Sequence, residues 1–346
     1  MSSWDVIIAG AGLAGVLTAL ELRERRASVL VLERGDPGRE ASTAAAGMLA
    51  ATDPETPPAL RAMALKSARI YPDFVGKLER STGIGVDFRR QGTIVLGEAA
   101  PPANYQQLFP DDLQRIEPAL QAHGRPAFLV AEDTVDPVPL MQAALRAAEL
   151  AGIEIRNNVA VQQMCWKGQQ VQVTTDKGVL TALSAVNCMG AWSGAPVRPR
   201  KGQMLYLRSA KPGELQHVVR APEVYILPRS SGKVLLGTTV EDVGFDKSVR
   251  KETIQALHDA ARRYVPELAR ARVTETWAGL RPGSPDDLPL IGPTDERNVF
   301  LASGLFRNGI LLAPLTAKIT ADLVMGKQPD IDITAFSPSR FAVAGS

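Results

Sequence analysis

Asp5-Val6-Ile7-Ile8-Ala9 is a short β-branched run that stops at Gly10. Beyond it Leu13, Val16, Leu17 and Leu20 recur at the spacing of one helix face. Ser28-Val-Leu-Val-Leu32 then reads as a second strand ending at Glu33, which completes a βαβ unit. Residues 59–82 predict a helix, with Leu60, Met63, Ala64, Ile70 and Phe74 on a drifting apolar face. Val86 to Leu96 reads as two strands around a turn, and Pro101, Pro102 and Pro110 mark a surface stretch. The prolines of Val135-Asp-Pro-Val-Pro139 precede a helix over 140–151 that ends at Gly152. Short strands follow at 153–155 and 159–161, and 170–175 alternates as a half-exposed antiparallel strand should. Residues 183–190 form a buried strand, and 225–229 with 234–239 a hairpin over Ser230-Ser-Gly232. Val299-Phe-Leu-Ala302 is a last short strand before a helix that begins near Gly309.

Single hydrophobic cores stop growing near ~250–300 residues, so 346 residues predict two domains. Lys and Arg number 39 against 37 Asp and Glu, a net charge of +2 that argues against a nucleic-acid binder. Apolar residues at 45% and charged ones at 22% exclude disorder for most of the chain. Two cysteines, Cys165 and Cys188, supply neither a disulfide framework nor a metal site. Both read as inert thiols, and the scattered His123, His217 and His258 suggest no metal centre. No apolar stretch is long enough for a membrane span, and no secretory signal is legible, so a cytoplasmic location is expected.

Chemistry enters at Gly10-Ala-Gly12-Leu-Ala-Gly15, a G-x-G-x-x-G turn between the first strand and the helix. Gly10 permits the turn, Gly12 lets the backbone approach a pyrophosphate, and Gly15 lets helix and strand pack closely. The helix N-terminus favours the anion. Glu33, 18 residues past Gly15, accepts hydrogen bonds from ribose hydroxyls and repels a 2′-phosphate. This unit by itself does not separate FAD from NAD. The small-residue run Glu40 to Leu49 follows, where a flat cofactor could press on the backbone and Ser42 and Thr43 could donate to phosphate. Near the C-terminus, Arg281 in Trp277-Ala-Gly-Leu-Arg-Pro-Gly283 and Arg307 before Gly309 are read as arginines in turns, suited to bidentate capture of a carboxylate.

These motifs, together with Glu33-Arg34, Ser42 to Leu49 and Phe306-Arg-Asn-Gly-Ile-Leu-Leu-Ala-Pro314, resemble the flavin-dependent D-amino acid oxidase superfamily. The resemblance covers nearly the whole chain and is greatest to the glycine oxidases of thiamine biosynthesis. It implies an α/β fold: an FAD-binding Rossmann-like βαβ domain of the glutathione-reductase type, plus an antiparallel β-rich α+β substrate domain. The flavin domain would be discontinuous, over 1–82, 130–198 and 276–346, with the substrate domain over 83–129 and 199–275. Non-covalent FAD would be held by Gly10, Gly12, Leu13, Ala14, Gly15, Glu33, Arg34, Ala41, Ser42, Ala46, Gly47, Met48, Val161 and Gly190. Leu305, Phe306, Arg307, Asn308, Gly309, Ile310 and Leu311 would wrap the flavin ring. Arg281 and Arg307 match the family's substrate-contacting arginines, and Tyr225 an active-site tyrosine. Leu305 and Ala50 depart from the family pattern, which bears on substrate preference.

The activity so implied is oxidative deamination of glycine and other small amines by hydride transfer to the flavin, with O2 reduced to H2O2. The expected partners are the small amino acid or amine and O2, with no nucleic acid, and the resemblance implies a homo-oligomer, often a tetramer. Two alternatives stay open on sequence grounds. One is a flavin dehydrogenase that passes electrons to a quinone or carrier, and the other is a nucleotide-binding protein without turnover.

Overall fold

Val6, Ile7, Ile8 and Ala9 are all 2% exposed or less, as a strand covered on both faces must be. In the computed structural model, which describes residues 4–97, 104–208 and 215–341, the strand Trp4–Ala9 lies inside a sheet. It runs parallel to Val29–Leu32 on one side and to Gly178–Asn187 on the other. Glu154–Arg156 extends the sheet beyond Val29–Leu32, and Val299–Ser303 also pairs in parallel with Gly178–Asn187. The antiparallel strands Val161–Lys167 and Gln170–Thr175 complete one flank, and Leu290–Pro293 returns along Val299–Ser303.

Four helices share one face of this sheet: Leu13–Glu24, Pro58–Thr82, Pro137–Leu150 and Gly309–Val324. Their apolar residues and the inward side chains of the strands make one core, within which Gly309–Val324 is buried on nearly all sides. Asp136 caps Pro137–Leu150 by accepting the Val138 N–H at 3.0 Å, and the prolines at its start cost no intrahelical bond. On the other face, Val171 and Val173 pack on Ile7, Leu30 and Leu32. The alternation of 170–175 is observed as strict buried and part-exposed positions.

A second sheet has the order Arg272–Gly283, Arg198–Arg208, Lys233–Gly237, Val224–Pro228, Val218–Ala221, Thr93–Leu96, Ala127–Val130 and Gln106–Leu108. All its pairs are antiparallel except Val218–Ala221 with Thr93–Leu96. The amphipathic helix Lys251–Tyr264 covers it through Leu257, Ala260, Ala261 and Tyr264. A small third sheet joins Met48–Leu49, Asp133–Val135 and Phe88–Arg89.

The two strands read over 86–96 form around a turn, but they enter different sheets: Phe88–Arg89 pairs with Asp133–Val135, whereas Thr93–Leu96 joins the second sheet. The turn between them, with Gly92 at φ +76°, carries the chain from one sheet to the other. Arg281 is not in a turn but inside the long strand Arg272–Gly283, opposite Arg200. Arg272–Gly283 is the edge strand of the sheet, and the glycines and proline around Arg281 lie within its pairing with Arg198–Arg208. Of the surface stretch, Pro101 and Pro102 lie outside the described residues.

Candidate active site

The first strand delivers the chain into Gly10 at φ +99°, a left-handed conformation that any side chain would strain. A Cβ there would lie 2.5 Å from the Cys188 carbonyl oxygen, and one on Gly15 would lie 2.0 Å from the Gly10 carbonyl oxygen. Both glycines are therefore required for strand and helix to meet. No side chain caps the helix at Gly12, and no acidic residue occupies its first turn. Its N–H groups and dipole thus remain open to an anion, apart from Leu13 N–H, which donates to Ser42 Oγ at 2.9 Å. Glu33 ends the second strand and folds back on the same turn. Its carboxylate accepts the N–H of Ala11 at 2.8 Å and of Gly35 at 3.1 Å.

From this turn a cavity of about 860 Å³ runs toward the second sheet. Gly10, Gly12, Leu13, Ala14, Glu33, Arg34, Val161 and Gly190 line it at the glycine turn and the nearby strand ends. The small-residue run contributes Ala41, Ser42, Ala46, Gly47 and Met48, and the last turn contributes Leu305, Phe306, Arg307, Asn308, Gly309 and Ile310. Tyr225 and Arg281 form part of the wall made by the second sheet.

Two residues expected at the cofactor stand behind this wall. Gly15 is buried between helix and strand, and Leu311 is 1% exposed within the helical core. Thr43 also turns away, donating to the Gly38 carbonyl at 2.7 Å instead of facing a phosphate. Arg34 does line the cavity, but its guanidinium lies over the Trp192 ring at 3.7 Å and pairs with Glu40 at 2.9 Å.

The small-residue run is pressed against the second sheet, which explains its composition. Trp277 Nε1 donates to the Ala44 carbonyl at 3.1 Å, and a Cβ on Gly279 would come within 2.7 Å of Ala44 Cβ. Gly47, at φ +76°, has no room for a Cβ, which would meet the Val135 carbonyl oxygen at 1.9 Å. Buried Arg229 ties this run down by donating to the carbonyls of Ala46 at 2.5 Å and Val135 at 3.1 Å. Phe306 adopts φ +45°, a left-handed conformation for a bulky residue at the point where the last turn meets the cavity.

Arg281 stands in the part of the cavity wall that the second sheet makes. Its guanidinium donates to the Thr239 carbonyl at 3.2 Å and to Thr238 Oγ1 at 2.9 Å. No acidic side chain among the described residues pairs with it. Burial lowers its pKa from the usual arginine value; the nearby Tyr225 acts in the opposite direction, and the charge of Arg307 adds to the lowering. Tyr225 donates its hydroxyl to Met204 Sδ at 3.1 Å, and burial pushes its phenol up to about 12. Arg307 is exposed and forms an ion pair with Glu55.

A further cluster was not anticipated from the sequence. Arg220 lines the cavity and binds Asp53 at 2.5 Å, Glu132 at 3.1 Å and the Tyr105 hydroxyl at 3.2 Å. Burial raises the pKa of Glu132, while Arg220 opposes that rise. One signal was available: Val218-Val-Arg-Ala221 places a charge on the same strand face as buried Val218.

The cavity's uncapped helix, glycine turn and long floor of small residues fit a dinucleotide that carries a flat ring. The profile of the DAO family, described as FAD dependent oxidoreductase, matches residues 5–323. The chain belongs to this family.

Among curated relatives, the bifunctional protein ThiO/ThiG of Trichormus variabilis is 34% identical over 97% of this chain and 55% of its own length. This chain thus spans about half of that relative. Glycine oxidase of Pseudomonas putida is also 34% identical, over 97% of this chain and 98% of its own. The crystal structure of glycine oxidase from Geobacillus kaustophilus superposes with a TM-score of 0.93 at 30% identity, covering 98% of this chain and 99% of that one. The fold is accordingly the α/β, FAD-binding Rossmann-like type with a second sheet, and the cofactor of the family is FAD. No helix among the described residues is long and apolar enough to cross a membrane, and none of their His, Cys, Asp and Glu clusters could hold a metal ion.

Proposed function

We propose that this protein oxidises the α-amine of glycine and related small amines, including sarcosine and small D-amino acids, to an imine that water hydrolyses. For glycine the balance is glycine, O2 and H2O giving glyoxylate, ammonia and H2O2. FAD, when bound, takes the two electrons released at the Cα–N bond and passes them to O2. The AMP half would rest on Leu13, Ala14, Glu33 and Val161, the pyrophosphate on the helix start and Ser42, and the ring among Ala46 to Met48 and Leu305 to Ile310.

The observation that carries this reading is Arg281, a half-buried cation that faces a cavity without an acidic partner among the described residues. A substrate carboxylate supplies the missing charge and gains a planar two-donor partner. The Tyr225 hydroxyl, protonated across the physiological range, stands on the same wall and can turn from Met204 to donate to that carboxylate. Together they fix the amino acid by one end, so that its α-carbon is oriented and reaction entropy is removed in advance. No histidine lines the cavity among the described residues. The arrangement therefore suits an amine that arrives neutral, with its protons leaving to solvent instead of to a side-chain base.

Purified protein loaded with FAD should be yellow, should bleach anaerobically on addition of glycine or sarcosine, and should recover its colour in air with stoichiometric H2O2. Flavin that no amino acid reduces would overturn the reading. Fast reduction of a dye together with slow recovery in air would assign a dehydrogenase instead.

A further inference from the structure

Lys201 and Gln203 are fully buried in the strand Arg198–Arg208, where an unpartnered cation or amide would be costly. Strand alternation sets them on the face opposite Gly202 and Met204, and neither they nor Glu241 line the cavity. Both are engaged with the segment that follows Lys233–Gly237. Gln203 Nε2 donates to Glu241 Oε1 at 2.7 Å, and Lys201 Nζ lies 4.0 Å from Glu241 Oε2 and 3.0 Å from Asp246 Oδ2. The backbones of Lys201 and Glu241 exchange two N–H···O bonds at 2.9 Å. Glu241 in turn accepts the Thr239 hydroxyl at 2.5 Å, and Thr239 Oγ1 accepts the Gln203 N–H at 3.1 Å. We propose that Glu241 is a positioning residue for Arg281, holding in place, through Thr239, the two oxygens on which the guanidinium rests. This goes beyond the amine-oxidising reading and rests on it only for the carboxylate that Arg281 receives.

No acidic side chain among the described residues fixes Arg281, so its direction depends on the Thr239 carbonyl at 3.2 Å and Thr238 Oγ1 at 2.9 Å. These oxygens belong to two consecutive residues beyond the end of Lys233–Gly237, and their place is only as firm as that stretch. Glu241 makes it firm. A carboxylate only accepts hydrogen bonds, so the Thr239 hydroxyl points its proton at Glu241 and turns a lone pair to the Gln203 N–H. That pins the residue whose carbonyl meets Arg281. Burial alone would raise the Glu241 carboxyl, but the hydrogen bonds from Thr239 and Gln203 and the charge of Lys201 hold it below the usual carboxylate range. It is therefore an acceptor throughout neutral pH. A guanidinium that tilts loses its planar two-donor match, so a displaced Thr239 reads out as weaker carboxylate binding.

Acetate, titrated into the FAD-loaded protein and followed by flavin absorbance, reads carboxylate binding without turnover. Glu241→Ala should weaken it roughly three- to tenfold, the size of one net hydrogen bond, at unchanged flavin content. Thr239→Val removes the hydroxyl and keeps the carbonyl that Arg281 uses. It should weaken acetate by the same factor, and it decides the matter alone if Glu241→Ala does not fold. In an Arg281→Ala background neither substitution should weaken acetate further, since the effect runs through that guanidinium. Unchanged acetate binding in the single variants overturns the proposal. A further loss in the Arg281→Ala background does so too, because a general loosening of the sheet would produce it. An unmutated protein that binds no acetate overturns it as well. If no amine is oxidised while acetate binding falls as stated, the proposed function fails and the role of Glu241 holds. If amines are oxidised and acetate binding is indifferent to Glu241, only the positioning role fails.

Discussion

The guanidinium of Arg281 lies flat across Gly202 on the neighbouring strand, so close that a Cβ on Gly202 would sit 2.2 Å from Nη1. The absent side chain is what gives the cation its place. The atoms in the way are the far end of a flexible side chain, so Gly202→Ala would move Arg281 without tearing the sheet. We expect little change in Tm and a KM for a small amino acid raised roughly tenfold, about 1.4 kcal/mol of lost carboxylate contact. Steady-state kinetics beside a thermal melt separates this from misfolding.

Removing the cation itself should cost more. Arg281→Ala should raise KM about 10- to 100-fold, the range for losing charged hydrogen bonds worth ~1.5–3 kcal/mol. Arg281→Lys should recover only part of the loss, since an ammonium cannot present two parallel donors. A KM unchanged in Arg281→Ala would remove this residue from substrate binding.

Gly47 bears on the cofactor. At φ +76° and with the Val135 carbonyl oxygen 1.9 Å from the position of a Cβ, Gly47→Ala must move backbone on one side or the other. The displaced run is the one Arg229 holds through the Ala46 carbonyl. The expected result is protein purified with less than stoichiometric flavin, read from the ratio of visible to ultraviolet absorbance, and destabilised by ~1–3 kcal/mol as left-handed strain and overpacking usually cost.

Tyr225 sets a pH expectation. Burial raises its phenol to about 12, with Arg281 the main opposing influence. The folded protein keeps the proton longer than the unfolded chain, so the contribution of this group to stability is complete below the ordinary tyrosine value near ~10 and is lost as pH climbs toward about 12. The kcat/KM profile should therefore show no descending limb near 10 from this residue. Tyr225→Phe should leave the alkaline side of that profile unchanged while raising KM. A limb near 10 that disappears in Tyr225→Phe would contradict the burial.

What could be read in the chain was what is local. Gly10, Gly12, Gly15 and Glu33 belong to one βαβ unit, so their roles follow from spacing within a single supersecondary element. The buried strand around Ala185 and the hairpin of Val224–Pro228 with Lys233–Gly237 are legible for the same reason. Residues 88 and 93 deceive because pattern reports strand but not partner, and the two enter different sheets. Arg281 reads as a turn residue because its neighbours are glycine and proline, yet it lies in a long edge strand with its guanidinium over Gly202 of the neighbouring strand. Of the Arg220 cluster only the charge within Val218–Ala221 was legible: Asp53, Tyr105, Glu132 and Arg220 meet only after both sheets are assembled, and no spacing links them.

That cluster also gives the sharpest test of how the interface between the two sheets is held. Glu132 is 5% exposed and its carboxyl is pushed up by burial, with Arg220 the largest influence keeping it charged. Arg220→Ala strands this acid, together with Asp53, beside a cavity wall. Breaking a buried pair on one side typically costs ~3–5 kcal/mol, because the surviving charge must be neutralised or hydrated. With Arg220 gone the Glu132 pKa should rise further, so the loss should be greatest at neutral pH and ease as pH falls through the raised value. Glu132→Gln in the same background should recover part of the loss, since a neutral amide no longer needs the cation. Chemical denaturation of the two single variants and the double variant, each at two pH values, measures this coupling. If the losses in the single variants simply add in the double variant, the pair does not hold the sheets together.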